Sequence, residues 1–286
     1  MSDFFKHLIE MNSPYLIAEI GINHNGDLEI AKKLIDATNA CGWHCAKFQK
    51  RAPDICVPEQ QKLIERDTPW GVMTYIDYKH KIEFEKREYD IIDNYCSDKN
   101  LSWSASVWDI DSLNFIIKYK VPFIKIPSAH ITNKTLLVES ARSTIPLIIS
   151  TGMSTWEIID SAVEILEKEN AEYAILQCNS TYPAPYNELN LNVIPVMKKR
   201  YGCIIGYSGH EFGLEPSVVA VAMGAQIIER HITLDHNMWG TDQKSSLEVH
   251  AMDLLGKRVK NVGETLGKPE KIITESEKPI LNKLRG

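Results

Sequence analysis

Pro146-Leu-Ile-Ile-Ser150 and Glu172-Tyr-Ala-Ile-Leu-Gln-Cys178 are short apolar runs, and between them Ile158, Ile159, Ala162, Val163, Ile165 and Leu166 recur at helical spacing. Strand, helix and strand within about 30 residues make a βαβ unit, which requires a parallel sheet with helices on its face. The alternation continues outward in both directions. Towards the N-terminus lie Pro122–Ile126, Leu101–Ala105, His44–Gln49 and Tyr15–Ile20. Towards the C-terminus lie Cys203–Gly206, Gln226–Glu229 and a last helix over 250–266. Eight strands, all but one pair starting 21–31 residues apart, predict a closed (β/α)8 TIM barrel, a single domain over 1–286, and not an open doubly wound sheet.

The one long gap follows the second strand. Residues 51–82 carry Pro53, Pro58, Pro69 and Gly71 and are expected to form a long loop, with the second helix over 83–99. Long strand-to-helix loops build the active face of a barrel. The tail 268–286 is polar, holds Pro269 and Pro279, and is expected to be a strap or the start of a linker.

Hydrophobic residues make up 44% and charged residues 24% of the 286, which excludes disorder and collagen-like structure. No apolar run approaches the roughly 18 residues of a membrane span, and Met1-Ser-Asp-Phe-Phe-Lys6 is no secretory signal. A net charge of −6 argues against nucleic acid as a partner but leaves room for a small anionic substrate, which needs only a few local cations. The cysteines at 41, 45, 56, 96, 178 and 203 form no CxxC pair and read as free thiols of a cytoplasmic protein.

In such a barrel the chemistry sits at the C-terminal ends of the strands. Those ends are Glu19; Lys47 and Gln49; Ser104 and Ser106; Lys125 and Ser128; Ser150 and Thr151; Gln177 and Asn179; Ser208 and His210; Glu229 and His231. One serine after a strand often caps the next helix. Eight polar ends, with two lysines and two carboxylates at depth, do not reduce to caps. Residues i and i+2 of a strand share a face, so Glu229 and His231 are expected in the lumen and Arg230 in the helix layer. If the strand continues past Gly206, Ser208 and His210 follow suit, bringing two imidazoles within reach of one divalent ion. The alternative is two structural histidines. Lys47 and Lys125, with Ser128, Ser150 and Ser208, make a nest for phosphate and carboxylate groups, or else ion-pair with Glu19 and Glu229. Tyr182 and Tyr186 follow the sixth strand on a proline-stiffened turn. His24, His130 and His236 lie near the mouth with no role dictated by spacing. Trp103, Trp108 and Trp239 are either core or substrate wall. There is no Walker motif, GxGxxG fingerprint or GxSxG elbow.

Seven stretches in order, Ala18-Glu-Ile-Gly-Ile-Asn-His-Asn-Gly26, Lys47-Phe-Gln49, Lys125-Ile-Pro-Ser128, Ser150-Thr-Gly-Met153, Thr181-Tyr-Pro-Ala-Pro-Tyr186, Gly206-Tyr-Ser-Gly-His210 and Glu229-Arg-His-Ile-Thr233, resemble the sialic acid (N-acetylneuraminate) synthase family from about residue 15 to 275. The resemblance implies a transferase that condenses phosphoenolpyruvate with an N-acetylated hexosamine, N-acetylmannosamine or a related sugar, to a nine-carbon 2-keto sugar acid. It implies a divalent ion, Mn2+ first, with Mg2+ or Co2+ as alternatives, on His210 and His231. Lys47, Lys125, Ser128, Ser150 and Ser208 then match phosphoenolpyruvate-binding positions. Glu19, Gln49, Tyr182 and Glu229 match catalytic positions, and Asn179 and Asp242 substrate-binding ones. In the implied mechanism the metal polarises the sugar aldehyde, C3 of phosphoenolpyruvate attacks it, water adds to the oxocarbenium at C2, and phosphate leaves by C–O cleavage.

The chain departs from the family at Ala105-Ser-Val107, where members have Thr-Pro-Phe, at Ser180, where they have Asn, and at His130, where they have Glu. The family's small antifreeze-like C-terminal domain, whose Arg reaches the partner's site, is not expected in this chain. The resemblance therefore implies a homodimer paired through barrel surfaces such as Trp70, Met73 and Tyr75. The cap would come from a separate protein or from the 51–82 loop with Arg51, Lys62 and Arg66. The alternatives are another phosphoenolpyruvate-condensing synthase or metal aldolase for a different sugar aldehyde, or a non-catalytic sugar-phosphate-binding barrel.

Overall fold

The computed structural model describes residues 1–286. Eight parallel strands close into a barrel: β1 (Tyr15–Gly21), β2 (Cys45–Lys50), β3 (Ser102–Val107), β4 (Ile124–Ile126), β5 (Leu147–Ser150), β6 (Tyr173–Cys178), β7 (Ile204–Gly209) and β8 (Ile227–Thr233), with β8 pairing back to β1. The expected (β/α)8 barrel is therefore what forms. Strands β3, β7 and β8 run two to four residues further than their apolar bodies, because their polar ends remain in the ladder.

Alternation along each strand divides the core. Ala18, Ile20, Ala46, Phe48, Ile124, Ile126 and Ile149 face the helices, while Tyr15, Ile17, Cys45, Phe123, Ile148, Ala174, Leu176 and Ile227 fill the lower lumen. The floor is closed by an N-terminal helix, Asp3–Glu10, whose Phe5 and Leu8 pack into that lumen cluster. Gly206 makes room there: a Cβ would meet Leu176 Cδ2 at 2.5 Å. Above this apolar floor the inward positions turn polar, which places the expected ring at the upper mouth.

Residues 51–82 are not a bare loop. They form two four-residue helices, Pro53–Cys56 and Glu59–Lys62, a hairpin of Glu65–Thr68 with Gly71–Thr74, and a helix, Tyr75–Ile82. The helix expected over 83–99 is Lys86–Asp98, entered through a capping box of Glu85 and Glu88. The excursion is seated on the mouth: Ile22, Tyr78 and Ile82 form a small core joined by Met73, Tyr75 and Trp239. Met73 and Tyr75 thus pack inward, and Trp70 stacks edge-on against Trp239. The 268–286 tail contains a helix, Lys278–Arg285, with no buried residue. No helix is long and apolar enough to cross a membrane.

Asp109 ties the excursion to the barrel. It caps the helix Ile110–Ile116 through Ser112 N at 2.7 Å and accepts from Ala52 N at 2.8 Å. Asp109→Ala is expected to cost roughly 1–2 kcal/mol, as for a lost N-cap, and to speed amide hydrogen exchange over 52–57. Unchanged exchange there would mean that the excursion is anchored by its apolar core alone.

Candidate active site

The parallel register sets Glu19 beside Lys47 on one side and His231 on the other, Ser106 beside Lys125, and Ser208 beside Glu229. These side chains line a cavity of about 240 Å³ at the barrel mouth, with Gln49, Ser128, Ser150, Tyr182 and His210. Asn179 and Asp242 do not line it. The Asn179 side chain is spent on its own loop, taking Thr181 N and donating to the Glu188 carbonyl, and only its backbone carbonyl reaches towards the site. Asp242 lies behind His231, 3.8 Å from Nδ1.

At the centre, two lysines interleave with two carboxylates. Lys47 Nζ pairs with Glu19, donates to Ser106 Oγ at 2.7 Å and lies 3.6 Å from Glu229. Lys125 Nζ reaches Glu229 Oε1 at 3.3 Å, and Ser208 donates to the same oxygen at 2.9 Å. Both readings of the lysines are therefore combined: they face the cavity and are paired across it. The surroundings split the carboxylates. Burial pushes both upward; at Glu229, Lys125 and Lys47 outweigh it and hold the group at about 2, whereas at Glu19 burial prevails over Lys47. One acid is thus kept ionised and the other is biased towards holding a proton, the pattern from which acid and base roles are read. Burial, with Lys47 nearby, likewise lowers Lys125. The Ser150 hydroxyl is buried with no partner, a free donor on the wall.

The histidines converge on one point. His210 donates from Nδ1 to the Asn179 carbonyl at 2.6 Å, so in the neutral ring its Nε2 carries the lone pair, 2.8 Å from the Tyr182 hydroxyl. His231 Nε2 lies 3.5 Å from the same oxygen, and burial holds this imidazole down at about 3. Two Nε2 atoms aimed at one place fit a divalent cation, with His210 held at Nδ1 by the Asn179 carbonyl and Asp242 standing 3.8 Å from Nδ1 of His231. No third His, Cys, Asp or Glu joins them, so further positions would fall to water or substrate.

A family profile described as NeuB family matches residues 34–271. The chain belongs to the NeuB family. It is 39% identical over 257 residues to the N-acetylneuraminate-9-phosphate synthase of Drosophila melanogaster, covering 88% of this chain and 68% of that one. It is 32% identical over 280 residues to the N,N'-diacetyllegionaminic acid synthase of Campylobacter jejuni, covering 96% and 84%. A solved N-acetylneuraminic acid (sialic acid) synthetase from Leptospira borgpetersenii, in complex with citrate, superposes with a TM-score of 0.85 at 31% identity, covering 96% and 93%. The family expectation from the seven motifs is borne out, and the protein is an enzyme of the sialic-acid-type synthase class.

Several parts of this NeuB-family mouth were given no settled role from the sequence. Trp108, Met153, Cys178 and Ser180 line the cavity, and Ser106 holds Lys47. Their signal was their place at, or within three residues of, strand ends. Trp108 is therefore wall, Trp103 is core against Tyr89 and Phe48, and Trp239 braces the excursion. His24 stacks on Phe84 at 3.9 Å, and burial with Arg51 nearby lowers it to about 3. His130 packs edge-on to Trp108, and His236 bonds the Ser246 carbonyl. Arg230 lies in the helix layer as expected, fully buried against Glu211 at 3.0 Å. Gly21, at φ 55°, turns the chain out of β1 where a Cβ would crowd Gln49, Glu19 and His231 at 3.1–3.3 Å.

Proposed function

We propose that this NeuB-family enzyme condenses phosphoenolpyruvate with an N-acetylated hexosamine of the N-acetylmannosamine type, giving a nine-carbon 2-keto sugar acid and inorganic phosphate. The observation that carries the reading is the interleaved Lys47, Lys125, Glu19 and Glu229 at the floor of a hydroxyl-lined cavity. An anionic enol substrate exchanges carboxylate partners for the two lysines, and the free Ser150 hydroxyl supplies a neutral donor, joined by Ser208 once it turns from Glu229. His210 and His231 would hold a divalent ion, Mn2+ first among the choices, which when bound supplies Lewis-acid polarisation of the sugar aldehyde.

The chain's own groups cover the remaining chemistry. As the enol C3 bonds to the aldehyde carbon, positive charge develops at C2, and the ionised Glu229 faces it at low dielectric. Glu19, biased towards the protonated state, can deliver a proton to the new alkoxide and then take one from the water that adds at C2. Collapse of that adduct breaks the C2–O bond and releases phosphate, leaving the ketone. Three carbons come from the enol and six from the sugar, so C9 of the product is C6 of the acceptor. Relatives named for a 9-phosphate and relatives named without one leave the substituent at that carbon as the open point.

Incubation with phosphoenolpyruvate, N-acetylmannosamine or its 6-phosphate, and Mn2+ should release phosphate and form a 2-keto acid. No release with any N-acetylhexosamine or di-N-acetyl analogue would overturn the reading. Lys125→Ala should lower kcat/KM for phosphoenolpyruvate roughly 10- to 150-fold, as one charge-assisted contact of about 1.5–3 kcal/mol is lost. A shift confined to the sugar's KM would reassign this lysine.

A further inference from the structure

Beside the cavity the fold buries more positive than negative charge. Lys50, Arg51 and Lys79 are each more than nine-tenths buried. Glu83 and Asp109 are the carboxylates buried among them; Lys50 takes Glu83 at 3.1 Å, Asp109 is spent on Ala52 N, Cys56 and Ser112, and Arg51 Nε stands 3.9 Å from Glu83 without a hydrogen bond. The Lys79 ammonium has no hydrogen bond and no carboxylate within 4 Å. It lies 5.1 and 5.2 Å from the rings of Tyr75 and Tyr78. Arg66 covers the Tyr75 ring at 4.0 Å, and the Tyr78 hydroxyl is buried and unpartnered. Burial, then Arg51, pushes Lys79 down to about 8 against the opposing pull of Asp242 and Glu83. Buried charge without a counterion is unfavourable, and an arrangement of this kind is completed by an anion.

The cluster adjoins the reaction centre. The Arg51 guanidinium rests on the Trp108 ring at 4.5 Å and donates to Gln49, whose amide donates to Glu19 at 2.9 Å. Trp108 and Gln49 are both cavity wall. The other opening, a cavity of about 710 Å³ between the loops after β5 and β6, carries Glu157 and Glu188 and neither lysine nor arginine. Anionic substituents leaving the mouth are therefore drawn to the excursion side.

We propose that Arg51, Lys79 and Tyr78, with Arg66 at the rim, form a phosphate site for the far end of the sugar, so that the acceptor is an N-acetylhexosamine 6-phosphate. This rests on the synthase reading above. A phosphomonoester offers three oxygens to a guanidinium fork, an ammonium and a phenol, whereas an unphosphorylated hydroxymethyl group leaves all of them unsatisfied. The phosphate of the enol substrate is the other source of the same chemistry, and the test separates the two.

Calorimetric titration of the full chain with N-acetylmannosamine 6-phosphate, N-acetylmannosamine and phosphoenolpyruvate is the experiment. The phosphorylated sugar should bind about 10- to 150-fold tighter than the plain one, the range of one charge-assisted contact. Lys79→Met, which keeps the length of the side chain, should remove most of that preference, Arg66→Ala should remove a smaller part, and both should leave phosphoenolpyruvate binding in place. Circular dichroism verifies the fold of each variant. Equal affinity for the two sugars overturns the proposal, as does a Lys79→Met defect confined to phosphoenolpyruvate. Turnover of the plain sugar alone would remove the phosphate site and keep the synthase. Lys79-dependent binding of the sugar phosphate without any turnover would remove the synthase and keep the site.

Discussion

Glu229→Ala is expected to abolish turnover and to cost about 3–5 kcal/mol of stability, the range for removing one member of a buried ion pair. The reason is the company Glu229 keeps. It is the only carboxylate within 4 Å of Lys125, and its Oε2 is the second anionic contact of Lys47. Alanine leaves an ammonium buried with no counterion, and the carbocationic C2 of the reaction loses the charge that faces it. Glu229→Gln keeps the volume and can still accept from Ser208, so it should lose less stability while losing turnover nearly as fully. Chemical denaturation with a steady-state assay separates the two effects. Glu229→Ala as stable as the wild type would show that Lys125 is not held by this pair. The pH dependence has a definite sign. The folded group sits at about 2 against an ordinary 4.5, so its contribution is complete above about pH 4.5 and is lost as pH falls through about 2. The stability gap between wild type and Glu229→Gln should narrow across that window.

How far the sequence reaches depends on where the free energy of each part lies. The eight strands are legible because a barrel strand is buried on both faces, so bodies such as Leu147–Ile149 read as continuous apolar runs and only the lumen ends turn polar. That contrast also exposes most of the site, since i and i+2 spacing alone puts Glu229 and His231 in one lumen. The excursion is different. Its four-residue helices are too short to show a period, and the helix Tyr75–Ile82 on which they rest is held by Ile22 and Trp239, distant in sequence. For the same reason Arg51 and Lys79 look like solvated loop charges in the sequence, yet tertiary packing buries them. Arg51 is fixed on Trp108 and is not a free lid cation, whereas Lys62 pairs with its helix neighbour Glu59 at the surface. The choice between an anion nest and ion pairs for Lys47 and Lys125 was open because it turns on distances across the lumen, which no local spacing encodes. The work of Asn179 was hidden for a simpler reason: its backbone carbonyl, and not its amide, orients His210.

His210→Ala and His231→Ala are each expected to lower turnover on the order of a thousandfold, because Lewis-acid assistance supplies several kcal/mol of charge stabilisation. Each imidazole contributes one of the two Nε2 atoms that point at the Tyr182 oxygen, so losing either halves the protein's donor set. Stability should change far less than in Glu229→Ala, since both rings line a polar cavity and leave no charge unpaired. Activity alone does not isolate the ion, so Mn2+ binding should be followed directly by electron paramagnetic resonance. The wild type should bind and both variants should not. Asp242→Ala provides the graded case. Asp242 backs His231 at Nδ1 without touching the cavity, and removing such a supporting group typically costs 10- to 100-fold in metal affinity. It should therefore bind Mn2+ more weakly and recover turnover as the ion is raised, which neither histidine variant should do. Full activity of the wild type after exhaustive chelation would remove the ion from the mechanism, and the two histidines would then have to act through Tyr182 alone.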